Sequence, residues 1–269
     1  MTLFSELPLN TSPTVRDRYF APPVLSPFAD DMAHRLARLS IGPLLEISAD
    51  TGVLTQAMAS ALSAGLTIIA TDADAAMIEH ASAKPGMARV TWQRADPHAL
   101  PFPDATFGIV ACHLGVATMP DRVRTFQEVR RVMKQGGRFV FNVLGTIQHN
   151  PVAECLQNTL DEFFPSAPPG YIAHGLHGYA DNEAIDDDLT SAGFTDAIYT
   201  TVELPFAAPS AADVAAAYCL GTPLRSELEV QTIGDTEPIL RAATLALQKR
   251  FGTGAITAPM RAHIISAAG

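Results

Sequence analysis

Apolar residues along this chain follow two alternating spacings. Short runs that are mostly apolar at Leu44–Ile47, Thr67–Thr71, Arg89–Gln93, Phe107–His113 and Arg138–Leu144 read as strands buried in a sheet. Between them, apolar residues recur every three or four positions. Leu54, Ala57, Met58, Ala61 and Leu62 form one such face, and Val123, Phe126, Val129, Val132 and Met133 another, so each stretch predicts a helix. A shorter helix is expected over 74–83, with Met77 and Ile78 inward, ended by Lys84-Pro85-Gly86. Upstream, Ser26-Pro27 predicts a helix start with Ser26 as cap, and Met32, Leu36 and Leu39 as its apolar face. Strands alternating with helices predict an α/β fold, a doubly wound, mostly parallel sheet with helices on both faces.

Beyond residue 145 the alternation breaks. A helix begins at Asn150-Pro151, and Pro165 to Gly170 interrupt it. The following Tyr171–Tyr179 segment, with its Gly and His residues, reads as a connector or a lid. Asp186-Asp187-Asp188 reads as a solvated face, and a sixth strand is expected at Ala197–Leu204. A seventh, Met260–Ala267, completes the sheet. Between them lie helices at 211–220, started by a Ser210-x-x-Asp213 cap, and at 237–251. The expected organisation is an N-terminal helical or lid segment over 1–40, whose first 13 or so residues look loose. A ligand-binding core over 41–145 and a lid insertion over 146–180 follow. The rest of the sheet spans 181–269, with a helical cap inserted at about 205–258 that covers a pocket or forms a homodimer contact.

Composition narrows the class. Hydrophobic residues make up 48% of the 269 and charged residues 17%, a globular balance. A formal net charge of -10 argues against nucleic acid as the main partner. No run approaches the roughly 20 apolar residues that span a bilayer, so no membrane association is expected. No secretory signal is read at the N-terminus. Cys112, Cys155 and Cys219 lack metal-ligand spacing and fit reduced thiols in a cytoplasmic protein, and no metal site is expected.

The candidate chemistry gathers at the first strand–helix junction. Ser48-Ala49-Asp50-Thr51-Gly52 are small or turn-forming residues between a strand and a helix. Such a turn aims the helix's first N–H groups at whatever lies above the sheet edge. Asp72 ends the second strand twenty residues after Gly52, where a carboxylate can accept both hydroxyls of a ribose. A nicotinamide-dependent oxidoreductase shares these two features, but Gly-x-Gly-x-x-Gly and a Tyr-x-x-x-Lys pair are missing.

The run Ala95-Asp96-Pro97-His98-Ala99-Leu100-Pro101-Phe102-Pro103-Asp104-Ala105-Thr106-Phe107, with Met119-Pro120-Asp121-Arg122 and Glu128-Val129-Arg130-Arg131-Val132-Met133-Lys134-Gln135-Gly136-Gly137-Arg138, resembles the class I S-adenosylmethionine-dependent methyltransferases. The ubiquinone/menaquinone-biosynthesis type is the nearest likeness, over about residues 30–145. The resemblance implies a Rossmann-like fold, S-adenosylmethionine as cofactor and methyl transfer to a small, hydrophobic or aromatic acceptor. It places Glu46 as the acidic residue before the glycine loop, Asp72 on the ribose and Asp96 at the adenine. Ser48, Asp50, Gly52, Ala73, Met77, Ala95, Pro97 and His113 complete the expected cofactor set. His113, at the end of the fourth strand, either packs on or hydrogen-bonds to the cofactor or backbone, or is a candidate base for an acidic acceptor. Tyr19, His149, His174, His177 and Tyr179 are the candidate acceptor-lining residues. One departure matters: where the family resembles Gly-Cys-Gly-Thr-Gly, this chain has Ser48 and Asp50 in place of two glycines. The alternative reading is a methyltransferase-like protein that binds cofactor or ligand without transferring a methyl group.

Overall fold

A computed structural model gives the fold, and it describes residues 13–39 and 41–269. The expected looseness of the first 13 residues falls almost wholly outside that range. The chain forms two compact units. One comprises residues 28–144, 179–202 and 262–269. The other comprises 145–178, 203–261 and the described residues up to 27.

The first unit holds the first five strands in chain order and part of each of the last two. Seven strands run in the order β3-β2-β1-β4-β5-β7-β6. They are β1 (Leu44–Glu46), β2 (Ile68–Asp72), β3 (Val90–Arg94), β4 (Phe107–His113), β5 (Met133–Leu144), β6 (Asp196–Ala208) and β7 (Ile256–Ala268). The pairs β1–β2, β1–β4, β2–β3 and β4–β5 are parallel, and β7 pairs antiparallel to β5. The order reverses between β1 and β4, the switch point where open parallel sheets bind ligands. The chain therefore has the predicted α/β, doubly wound, mostly parallel sheet.

Successive residues point to opposite faces, so the apolar runs supply two cores. On one face Leu45, Ile47, Val110, Phe139 and Phe141 pack with α5 (Arg122–Val132) and α7 (Asn182–Ser191). Phe139 stacks on Phe141 at 4.7 Å between ring centroids, and Phe126 of α5 closes the cluster at 5.4 and 5.5 Å. On the other face Leu44, Ile68, Ile109, Val140 and Ile264 meet Met32 and Leu36 of α2 (Ser26–Leu36), and Leu54 and Met58 of α3 (Val53–Ala61). The short α4 (Ala75–Ser82) is capped by Asp74, which accepts from Ala76 N at 2.8 Å.

Several boundaries differ from the sequence reading, each for a physical reason. Ser26 caps nothing: the chain is already helical through α1 (Pro13–Val15) and a wide π-type stretch over Arg16–Leu25, and Ser26 has helical angles. The π-type stretch accommodates Pro22 and Pro23. The fifth strand is expected from Arg138, but β5 begins at Met133. Met133 pairs with Phe107 and Arg138 with Ile109, so Gly136 and Gly137 loop out as a bulge within one strand. The Asp186-Asp187-Asp188 run is more than a solvated face. Asp188 accepts from the Tyr179 hydroxyl at 2.8 Å and Asp186 from the Tyr199 hydroxyl at 3.1 Å.

In the second unit, α6 (Pro151–Phe163), α8 (Ala211–Leu220) and α10 (Glu237–Phe251) pack together. Ser210 caps α8 as expected, accepting from Asp213 N at 3.1 Å. An unforeseen helix, α9 (Leu224–Gln231), restarts just after Gly221-Thr222-Pro223. Thr222 bridges the restart, its hydroxyl donating to Tyr218 O at 2.6 Å and accepting from Leu224 N.

Candidate functional site

The turn between β1 and α3 is built on alternating left-handed residues. Ser48, Asp50 and Gly52 have φ of 52°, 53° and 77°. These are the positions where the resembled loop carries glycine. The shape of a glycine loop thus survives two side chains, Asp being among the residues that best tolerate left-handed angles. Gly52 remains because nothing else fits: an added Cβ would lie 2.9 Å from Ala81 and 3.0 Å from Trp92. The loop ends as the N-cap of α3 without a side-chain cap, so early N–H groups of that helix are left for solvent or ligand.

Asp72 holds this loop. One oxygen accepts from Asp50 N at 2.8 Å and the other from Asp74 N at 2.9 Å. Each oxygen keeps a further lone pair. Burial pushes the Asp72 pKa up, partly offset by those two N–H bonds. Glu46 lies fully buried. Its Oε2 accepts from the Thr55 hydroxyl at 2.6 Å, and Oε1 has no partner among the described residues. Desolvation raises its pKa to about 8, so Glu46 is largely protonated at neutral pH.

The neighbouring strand ends join the same edge. Ala49 N donates to Thr71 O, Ala95 N to Asp72 O and Ile47 N to Ala111 O, all at 2.9–3.0 Å. Ala73 is exposed and Met77 half-buried at the entry to α4, and Pro97 is half-buried. Asp96 is exposed. A single oxygen accepts from both His98 N and His98 Nδ1 at 2.8 Å, and the His98 N–H bond lowers the Asp96 pKa. The eleven expected cofactor residues therefore share one unit and one sheet edge.

His113 closes β4 beside Asn142 of β5. Asn142 Oδ1 accepts from Leu114 N at 2.9 Å and lies 3.1 Å from His113 Nδ1. The Leu114 amide can only donate, which identifies the Asn142 atom as oxygen and makes His113 Nδ1 the donor. In the neutral ring, Nε2 is then the basic nitrogen. Leu114 itself is left-handed at φ 54°, unusual for a bulky residue, and the Asn142 bond holds it there. Asn142 was missed in the sequence, although an amide within Phe139-Val140-Phe141-Asn142-Val143-Leu144 is a visible anomaly. Thr55, the partner of Glu46, gave no such signal.

The expected acceptor-lining residues divide differently. Tyr19, His149, His174 and His177 belong to the second unit. Tyr19 is half-buried beneath the Arg18 guanidinium, and His149 is exposed and bonded to Thr146. His174 is exposed. His177 is buried and donates from Nδ1 to Gly145 O at 2.7 Å, and burial lowers its pKa to about 4. Tyr179 is a correction: it sits in the core of the sheet unit, its hydroxyl bonded to Asp188 and its ring covered by Arg122 at 4.1 Å. That ring is consumed by packing because the long Arg122 reaches across it from α5. Among the described residues no His, Cys, Asp and Glu cluster could hold a metal, and no helix is long and apolar enough to cross a membrane.

Comparison with known proteins gives likenesses of sequence and of fold. Residues 45–141 match the methyltransferase domain family. The chain is 28% identical over 178 residues to malonyl-[acyl-carrier protein] O-methyltransferase 1 of Coxiella burnetii, covering 65% of this chain and 56% of that one. It is 30% identical over 103 residues to the ubiquinone/menaquinone biosynthesis C-methyltransferase UbiE of Geotalea uraniireducens, covering 37% and 44%. The chain spans about half the length of the curated relatives it matches. Among solved structures, the YcgJ protein of Bacillus subtilis superimposes with a TM-score of 0.55 at 20% identity, covering 90% of this chain and 97% of that one. Phosphoethanolamine N-methyltransferase 2 of Haemonchus contortus, in complex with S-adenosyl-L-methionine, gives 0.59 at 18%, covering 96% and 56%. These structural likenesses are of fold.

Proposed function

We propose that this chain, whose residues 45–141 form a methyltransferase domain of the class I, UbiE-like kind, transfers a methyl group from S-adenosylmethionine to a small hydrophobic or aromatic molecule. The observation that carries the reading is the loop of left-handed residues at 48, 50 and 52, tied by Asp50 N to Asp72. A loop without glycines at two of three positions keeps the conformation that a glycine loop has, which fits close approach by the cofactor's methionine end. The second lone pairs of Asp72 fit two ribose hydroxyls. The uncommitted oxygen of Asp96 fits an exocyclic amine of adenine. For the acceptor, support comes from relatives named for ubiquinone and menaquinone biosynthesis.

S-adenosylmethionine supplies an electrophilic methyl group, so the protein must chiefly align an acceptor and exclude water. Asp72 fixes the loop, and Thr55 and Glu46 underpin it. His113, its tautomer set by Asn142, offers Nε2 as the base for an acceptor whose proton must leave. Isothermal titration with S-adenosylhomocysteine tests the cofactor assignment. Asp72→Ala is expected to weaken binding by roughly 1–3 kcal/mol through lost charge-assisted hydrogen bonds. Absence of binding to folded wild-type protein would overturn the reading.

A further inference from the structure

A cavity of about 290 Å³ opens on the α2 face of the sheet, away from the strand-end loops described above. Its floor is apolar: Val140 of β5 and Ile264 of β7 are buried there, with Leu39 and Ile198 along the sides. Ile198, on the edge strand β6, is 55% exposed. Arg35, in the last turn of α2, and Arg38, in the turn that follows it, stand at its rim, and Thr200 and Ser266 supply hydroxyls. No carboxylate of a described residue lines it. Asp31 takes the Arg35 guanidinium at 2.7 Å from outside the lining. Arg38, Thr200 and Ser266 make no side-chain hydrogen bond to any described residue. In a chain of net charge -10, an acid-free hollow with an uncommitted guanidinium and two uncommitted hydroxyls has a specific complement.

We propose that this cavity is a second binding site, for a small carboxylate with a short apolar body, an aliphatic or aryl acid. The planar fork of Arg38 matches two carboxylate oxygens, and Thr200 and Ser266 donate from the strands. Ile264, Val140 and Ile198 take the hydrocarbon. The volume is near the lower end for ligand pockets, which limits the body to roughly the size of an eight-carbon chain or one ring. The site is independent of methyl transfer.

Methyl-labelled isoleucine NMR of the full chain, titrated with octanoate and separately with 1-octanol, tests it. Octanoate is expected to shift the Ile198 and Ile264 signals saturably, with 1-octanol about tenfold weaker. Arg38→Gln and Thr200→Val alter partly or fully exposed side chains. Arg38→Gln is expected to cut octanoate affinity about tenfold, and Thr200→Val severalfold, with the spectrum otherwise unchanged. The proposal fails if octanoate leaves both isoleucines unmoved or 1-octanol shifts them equally well. It also fails if Arg38→Gln leaves the octanoate titration as it was.

Discussion

Single residues carry the tension in the cofactor edge. Ser48 and Asp50 hold left-handed angles that glycine would hold without strain, and Asp50 adds a carboxylate beside Asp72 and Glu46, raising the pKa of both. Asp50→Gly removes strain and repulsion together, yet keeps the Asp50 N–H bond to Asp72 because the donor is main chain. It is expected to stabilise the protein by up to about 1 kcal/mol, net of glycine's greater unfolded entropy, whereas Asp50→Ala keeps the strain. Urea denaturation of the two variants decides the point: equal midpoints would mean that the loop carries no strain. Glu46 makes a pH-dependent prediction. Its folded pKa of about 8 lies above its ordinary 4.5, so the folded state retains a proton that the unfolded state releases. Stability is then full below about pH 4.5 and declines until about pH 8. Glu46→Gln keeps an acceptor for Thr55 and cannot ionise. Its melting temperature should match wild type near pH 5 and exceed it increasingly up to pH 8.5. A constant gap across that range would refute the assignment. The place of Asp72 at the end of β2 was legible in the sequence because an acid closes the short apolar run before it. The survival of the turn at Ser48 and Asp50 was not, since residue type biases φ without setting it.

Helices and loops explain why one quoted motif has its form. The run Leu100-Pro101-Phe102-Pro103-Asp104 has two prolines and so few N–H groups to make its own structure. Its carbonyls are taken up by Arg131 of α5, which donates to Leu100 O, Phe102 O, Asp104 and both oxygens of Glu128 at 2.7–3.0 Å. All five guanidinium donors are used. Glu128 completes the clasp by accepting from Leu100 N at 2.9 Å, and its bond to Arg131 holds its pKa down. The motif before β4 and the Glu-x-x-Arg of α5 are thus two halves of one contact. In the sequence they were legible only as a joint resemblance, because nothing in either half names its partner. Lysine keeps the charge but cannot reach four groups from one nitrogen. Arg131→Lys is expected to cost about 2 kcal/mol and to speed hydrogen exchange across residues 98–107. A variant with wild-type exchange in that segment would show that the clasp is dispensable.

At the scale of the molecule, contiguous segments were the wrong unit of reading. The sequence suggests a lid at 146–180 and a cap at 205–258 as separate insertions, but residues 146–178 and the cap fall in one compact unit with the described residues up to 27. Two of the bonds that join them span more than a hundred residues of chain. Arg261 O accepts from Gly145 N at 2.8 Å, Asn150 Oδ1 accepts from Arg261 N at 3.0 Å, and Arg261 reaches Glu203 at 3.1 Å. Hydrophobic periodicity reports which face of a helix is buried and not which distant helix buries it. The sheet was readable because each strand and its following helix are local, and neighbours in sequence are often neighbours in the sheet. The same division separates the proposed roles. Every cofactor candidate lies in the sheet unit, while Tyr19, His149, His174 and His177 lie in the other. Hydrogen exchange with and without S-adenosylhomocysteine therefore has a directional outcome. Slowing is expected around residues 46–56, 72–78, 95–99 and 113–116, where amides and carboxylates converge on the strand ends. Little slowing is expected within α6, α8 and α10. Because the Asp50 and Asp74 amides already bond Asp72, their protection should rise from a measurable baseline instead of from zero. Slowing confined to residues 145–178 and 203–261 would put the cofactor in the helical unit and overturn the assignment of the β1 loop.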